Sequence, residues 1–405
     1  MSTRTWCVAA LLLVSAPAAG QTVLSEEEAI ARLSLDSPRA RAIRAAADVA
    51  RADALTVGRW PNPRLAFDRE SVAGVRETLT TVLQPLPITG RRELERDAAL
   101  ALADATGLRA DDEVRRARAD LRHAFAELAA TQVRERELTR SRNRLVELAR
   151  ILELREAAGD AAGFDRLRAE REVIDVDADQ MIAASDRARA QARLASFFAG
   201  GTDPATLVAA EAVPGARDLP GADALVARAE QQRGQLQAFQ KDADAASLSM
   251  RAADRRWIPE PEVRAGTKWS NVGGGDIGSV FGVQAVLPLF DHGQPEHALA
   301  EARARQAQAR LEAFRAVLRA DIVVARSAAV ERRRAAEAYR AAASKNAGEV
   351  ERIAQVSYDA GERGILDLLD AFRTSSSARV RQASLDAAAR DAEIELEFVS
   401  GWEIR

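Results

Sequence analysis

The 405-residue sequence predicts a mainly α-helical chain with a small β part, in which one order of elements is written twice. Three features carry this reading. Long runs rich in Ala, Arg, Glu and Leu favour helix, because these residues lose little freedom on entering one. Two Trp-Pro breaks, "RWPNPRLAFDRES" from Arg59 and "RRWIPEPEVRAGTKWS" from Arg255, each end a helical run and lead into a β-like stretch. The breaks lie roughly two hundred residues apart, and the elements around them recur in the same order, which marks a duplication.

Composition narrows the function classes. Hydrophobic residues make up 47% of the chain, many of them Ala, and aromatics only 4%, which fits slender helix packing. The net charge is −3, with basic and acidic residues interspersed, so no patch suited to nucleic acid is expected. Residues 1–20 read as a secretory signal: Arg4, then the apolar Trp6–Val14, then small residues in "SAPAAGQ" with cleavage near Ala18 to Gly20. Cys7, the only cysteine, falls inside that segment and is poorly placed for lipid attachment. The exported chain would therefore have no thiol or disulfide chemistry. No later run of about 18 apolar residues occurs, so no helix is expected to span a membrane.

Taken in order, the first repeat covers 21–199. A helical pattern runs from Ser25 to about Arg59, with Ser25 and Glu28 placed as a capping box. Strand candidates at Pro63–Glu70 and Glu77–Pro87 follow, joined by "SVAGVR". Helix resumes near Arg91 and runs to about Ala157, roughly 100 Å at 1.5 Å per residue. "EAAGDAAGFD" interrupts it before a helix from Asp165 to about Phe198. Residues 200–222 form a Pro/Gly-rich connector. The second repeat, 223–405, brings a helix from Asp223 to Arg256, strand candidates Glu262–Ser270 and Ser279–Leu289, a helix to about Tyr358, the turn "YDAGERGILD", and a last helix to about Phe398.

Leu121 and Leu128, then Leu138, Leu145 and Leu152, then Leu311, Leu318 and Ala325 stand seven apart, the spacing of supercoiled helices. In the last strand Val280, Gly282 and Gln284 alternate with Phe281, Val283 and Ala285, one face apolar and the other mixed. Four strands of about ten residues suit a tilted crossing of a bilayer, but four cannot close, and open edges are not viable in lipid. Copies from other chains would have to complete the sheet.

"QPLPITGRRE" and "LPLFDHGQPE" at the strand-to-helix junctions, and "YDAGERGILDLLDAFR" at Tyr358–Arg373, resemble the TolC-like outer-membrane efflux protein family. The resemblance covers nearly the whole exported chain, with features of the heavy-metal branch. It implies a homotrimer in the outer membrane. Each chain would give four strands to a 12-stranded transmembrane β-barrel and its helices to a long periplasmic α-barrel. It also implies a periplasmic adaptor and a proton-driven inner-membrane transporter as partners, with heavy-metal cations as cargo. Drug-efflux and type I secretion ducts share the fold, and a soluble periplasmic coiled-coil scaffold is the competing class.

Asp367 and Asp370 stand three apart at the start of the last helix, on one face. In a trimer they would form stacked acidic rings favouring cations. The resemblance places them at a closed periplasmic end, with Tyr358 and Arg363 tethering it. Asp165 is the weaker counterpart in the first repeat. Gly159, Asp160, Gly361 and Glu362 lie at the two tips that would meet the adaptor. Pro87, Gly90, Pro288 and Gly293 mark the strand-to-helix junctions. His292, Glu296 and His297 raise the question of a metal site, but none is expected. No catalytic motif, phosphate loop or cofactor signature occurs, so the chain reads as no enzyme.

Overall fold

The computed structural model describes residues 22–33, 38–159, 163–198, 200–210, 218–344 and 346–402. The expected secretory segment, Asp160 and residues 211–217 of the connector lie outside the described residues.

The chain opens with strand β1 (Thr22–Leu24) and helix α1 (Glu26–Arg32). The capping box is present: Ser25 N–H donates to Glu28 Oε2 at 2.8 Å, and Glu28 N–H to Ser25 Oγ at 3.2 Å. The single helix expected to Arg59 is instead two, because α2 (Pro38–Ala54) restarts at a proline. A proline suits the first helical position and disfavours helix in the residue before it. The second helix ends early because Gly58 adopts φ 77° against the start of the next helix. A Cβ there would lie 2.6 Å from the Arg96 Cβ and 2.8 Å from the Arg92 carbonyl oxygen.

Strands β2 (Arg64–Val72) and β3 (Val75–Pro85) outrun the sequence expectation at the hairpin because their turn has only two residues. Ala73 and Gly74 both take positive φ, 51° and 88°, as a primed turn matched to strand twist requires. Helix α3 (Arg91–Ala158) and helix α4 (Gly163–Ala195) follow, then strand β4 (Leu207–Ala209), which pairs in parallel with β1. The helix expected from Asp223 to Arg256 is divided into α5 (Ala222–Gln232) and α6 (Gly234–Ala253). Arg233 breaks it, with ψ 111°. Its guanidinium donates to the Phe398 carbonyl at 2.6 Å, lies 4.3 Å from the Phe398 ring and 3.3 Å from Asp112. Those tertiary contacts override the local helical preference.

Strands β5 (Pro261–Ser270) and β6 (Asp276–Ala285) complete an antiparallel sheet in the order β2-β3-β5-β6. The last strand stops before the expected Leu289. Pro288 cannot donate to a ladder, and Leu289 N–H turns back to the Leu287 carbonyl at 2.9 Å. Helix α7 (Gln294–Tyr339) passes into a π-helical stretch at Arg340–Ser344, and helix α8 (Ala347–Asp359) follows. The expected continuous helix fails where Asn346 and Gly348, weak helix formers, succeed a run of small residues. Helix α9 (Ile365–Ser400) ends the described fold.

Two compact units result, each drawing on both repeats. One comprises the described residues of 22–32, 124–210 and 346–383, and packs Leu145, Leu148 and Leu152 against Ile365, Leu368, Leu369 and Phe372. The other comprises the described residues of 33–123, 218–344 and 384–402, holds the sheet, and packs Leu311, Leu318 and Ile322 against Leu225, Leu236 and Leu396. The seven-residue leucine spacing therefore marks buried seams. Leu138 is the exception and is only half-buried. No helix among the described residues is long and apolar enough to cross a membrane.

The sheet is two-faced. Register places Leu65 with Val82, Val82 with Ala265, and Ala265 with Phe281 along one face. Phe281 is 75% exposed and Leu65 74%, so this apolar face is uncovered among the described residues. The other face is charged: Arg64 pairs with Glu262, which also accepts from Gln284 at 2.5 Å, and Lys268 pairs with Glu77 at 2.6 Å.

Candidate functional site

The tip between α8 and α9 is built by a backbone device. Gly361 adopts φ 74°, its N–H bonds the Tyr358 carbonyl at 3.0 Å, and the Glu362 N–H bonds the Ser357 carbonyl at 2.9 Å. This crossed pair is a Schellman motif, which satisfies the last carbonyls of the helix and needs a left-handed residue. The turn sets the start of the next helix. There Ile365, Leu368, Leu369 and Phe372 are buried, and the spacing of that apolar stripe leaves Asp367 and Asp370 exposed. Both carboxylates stand near the positive end of a helix, which favours their charged form.

Arg363 stands on the turn with a guanidinium nitrogen 4.0 Å from Asp367, an exposed contact. Tyr358 turns the other way. Its ring packs against the leucine core, with the Arg155 guanidinium 5.7 Å from its centroid. Burial pushes the Tyr358 hydroxyl up from its usual pKa, Arg155 opposes this, and the Asp165 charge adds to it. The structure thus joins Arg363 with Asp367, and Tyr358 with α3 and the start of α4.

At the other tip Gly159 has φ 82° and donates to the Glu156 carbonyl at 2.9 Å. Glu156 binds Arg166 at 2.6 Å, which binds Glu170 at 2.6 Å. Arg373, on the last helix, pairs with Glu172 on α4. Ser375, fully buried, donates to the Ala347 carbonyl at 2.8 Å. Sequence reasoning named Gly159 but missed the ion pairs of Glu156, Arg166, Glu170, Glu172 and Arg373 and the buried Ser375. Only the i,i+4 spacing of Arg166 and Glu170 was readable.

The junction residues occupy matching positions. Gly90 (φ 66°) precedes α3 and Gly293 (φ 82°) precedes α7. A side chain at Gly90 would overlap the Arg255 guanidinium, and one at Gly293 would meet the Arg256 side chain at 3.1 Å. Pro87 and Pro288, both half-buried, stand beside them. Each is followed or bracketed by a tight backbone turn, Ile88 N–H to the Leu86 carbonyl and Leu289 N–H to the Leu287 carbonyl, both 2.9 Å. Of the histidines here, His297 lies 2.9 Å from Asp254, and Glu296 pairs with Arg256 at 3.1 Å. No group of three or more metal-ligating side chains comes together among the described residues.

His123 sits on α3 with Nδ1 2.8 Å from Asp391 and Nε2 3.8 Å from Glu395. Burial alone would lower its pKa, but the two carboxylates outweigh burial and raise it to about 9. Because the folded value lies above the unfolded 6.5, this stabilisation is complete below pH 6.5 and is lost as pH rises through 9. Thermal melting is therefore expected to weaken between pH 6.5 and 9, and His123→Gln to remove that slope. A slope unchanged in the variant would contradict the assignment.

The model of the family described as outer membrane efflux protein matches residues 225–401. The chain is 32% identical over 130 residues to the nickel and cobalt resistance protein CnrC of Cupriavidus metallidurans, covering 31% of this chain and 29% of that one. It is 25% identical over 329 residues to the cobalt-zinc-cadmium resistance protein CzcC of the same organism, covering 79% and 76%. The alignment to the first thus spans under a third of that relative's length. In fold the chain is similar to a membrane protein from Pseudomonas aeruginosa, with TM-score 0.78, 20% identity and 93% of each chain covered.

Proposed function

We propose that this chain, a member of the outer membrane efflux protein family, is the exit duct of a tripartite efflux pump. One observation carries the reading. A four-stranded sheet exposes an apolar face, keeps a charged opposite face, leaves both edges β2 and β6 unpaired among the described residues, and joins long helices. An apolar sheet face exposed in this way suits lipid, and closure with other copies removes the edges. Three copies give a twelve-stranded barrel in the outer membrane, with the helices forming its periplasmic extension. Trp60 and Trp257, exposed by 65% and 59% at the helix-to-strand breaks, suit the interfacial aromatic belt.

The cargo is heavy-metal cations, supported by the names of CnrC and CzcC and by exposed Asp367 and Asp370 at the tip. Transport is passive, with energy supplied by an inner-membrane transporter through a periplasmic adaptor that docks on the Gly159 and Gly361 tips. Three copies of the aspartate pair form two acidic rings at the closed end, held by Arg363 and by the Tyr358 packing. The two halves of the chain are copies of one ancestral unit, each giving one hairpin. Single-channel recording tests the rings. Asp367→Asn/Asp370→Asn is expected to raise the divalent-cation concentration needed for block by about tenfold. Conductance and block unchanged at every cation tested would remove the rings from the gate.

A further inference from the structure

The charged face of the sheet is ordered along the strands, and the register shows how. Toward the helices, Arg64, Leu83, Arg264 and Gly282 stand abreast. Glu262, one step closer to the helices, pairs with Arg64. The next row, Ala66, Thr81, Gly266 and Val280, holds no charge. Beyond it come Asp68 and Lys268 in one row, then Glu70, Glu77 and Asp276 in the row at the hairpin turns. Lys268 is engaged by Glu77 at 2.6 Å. The helix end thus carries two guanidinium groups against one carboxylate, and the hairpin end four carboxylates against one ammonium. Arg69 and Arg76, also near the turns, stand on the opposite, apolar face beside Thr78 and Ser71.

We propose that the bore of the closed barrel is electrically polarised, basic at its periplasmic base and acidic at its outer mouth. Asp68, Glu70, Asp276 and Arg264 set its ion preference independently of the tip. The inference rests on the trimeric barrel reading, in which the apolar face meets lipid and the charged face lines the bore. Threefold repetition turns each row into a ring, and a low-dielectric wall focuses the field of a ring into the passage. Cations are favoured at the mouth and opposed at the base, so current driven outward and inward differs.

The full-length protein is inserted from one side into a planar bilayer and its current recorded at both polarities in about 0.1 M and about 1 M KCl, where the Debye length falls from about 10 Å to about 3 Å. Asymmetric current is expected at low salt and symmetric current at high salt. Asp68→Asn/Glu70→Gln/Asp276→Asn is expected to reduce the asymmetry by about half and lower the preference for potassium over chloride. Arg264→Gln is expected to reduce the asymmetry too, but to raise that preference. These opposite signs separate a polarised bore from a general loss of charge. A conducting channel with symmetric low-salt current overturns the polarised bore and leaves the duct reading intact, as does asymmetry that responds only to Asp367 and Asp370. A protein that forms no channel overturns the duct reading, and the bore with it.

Discussion

Glu393→Ala is expected to destabilise the sheet-bearing unit by about 3–5 kcal/mol, the usual cost of removing one partner of a buried ion pair. Glu393 has no exposed surface, and its carboxylate serves two arginines, Arg333 on α7 and Arg390 at 3.0 Å on its own helix. Both guanidinium groups are nearly buried, at 12% exposure. Removing the acid strips them of the carboxylate they share, while their desolvation remains. The apolar replacement Arg333→Met/Arg390→Met/Glu393→Leu should recover most of the loss, because it removes the charges along with their partner. Thermal unfolding followed by helical circular dichroism distinguishes the two variants. A single variant that melts like the parent would show that the carboxylate is not the anchor of this seam.

Gly266→Val is expected to prevent formation of a heat-resistant assembled barrel. A Cβ at Gly266 would overlap the Thr80 carbonyl oxygen and come within 2.7 Å of the Thr81 Cα, so the collision is with backbone of the adjacent strand. Nothing flexible can yield there, and the pairing of β3 with β5 must open. Gly282→Val is the control. It lies on the same charged face of β6, with nothing within 4 Å of the added carbon, and should assemble normally. Gel mobility of unheated membranes reads both outcomes. Equal assembly of the two variants would contradict the observed register.

Much of this fold was legible because its punctuation is local. Trp60-Pro61 and Trp257-Ile258-Pro259 follow shortly after the ends of α2 and α6 and keep helix from resuming before the strands. Ser25 and Glu28 make their capping box within four residues. The Asp367 and Asp370 pair was legible as well, since helical spacing alone puts both on one face. What remained hidden depends on groups distant in sequence. Arg233 breaks a helix because Phe398 and Asp112 hold its side chain. Tyr358 on α8 meets Arg155 on α3, a contact between residues far apart in sequence. The charge order of the bore is likewise absent from any single strand. It exists only once β2, β3, β5 and β6 are in register.

The central claim is that three copies close one sheet through the edges β2 and β6. Cysteine cross-linking in the membrane tests it directly, since the only native cysteine, Cys7, lies in the expected secretory segment. Ala66→Cys on β2 is combined in turn with Gly278→Cys, Val280→Cys or Gly282→Cys on β6, all on the charged face. Within one chain these strands are separated by β3 and β5, so a bond between them must join different copies. At least one pair is predicted to give covalent dimers and trimers in the outer membrane fraction and nothing larger. Cross-links confined to single chains, a ladder extending past three, or recovery of the protein in the soluble periplasmic fraction would contradict the account.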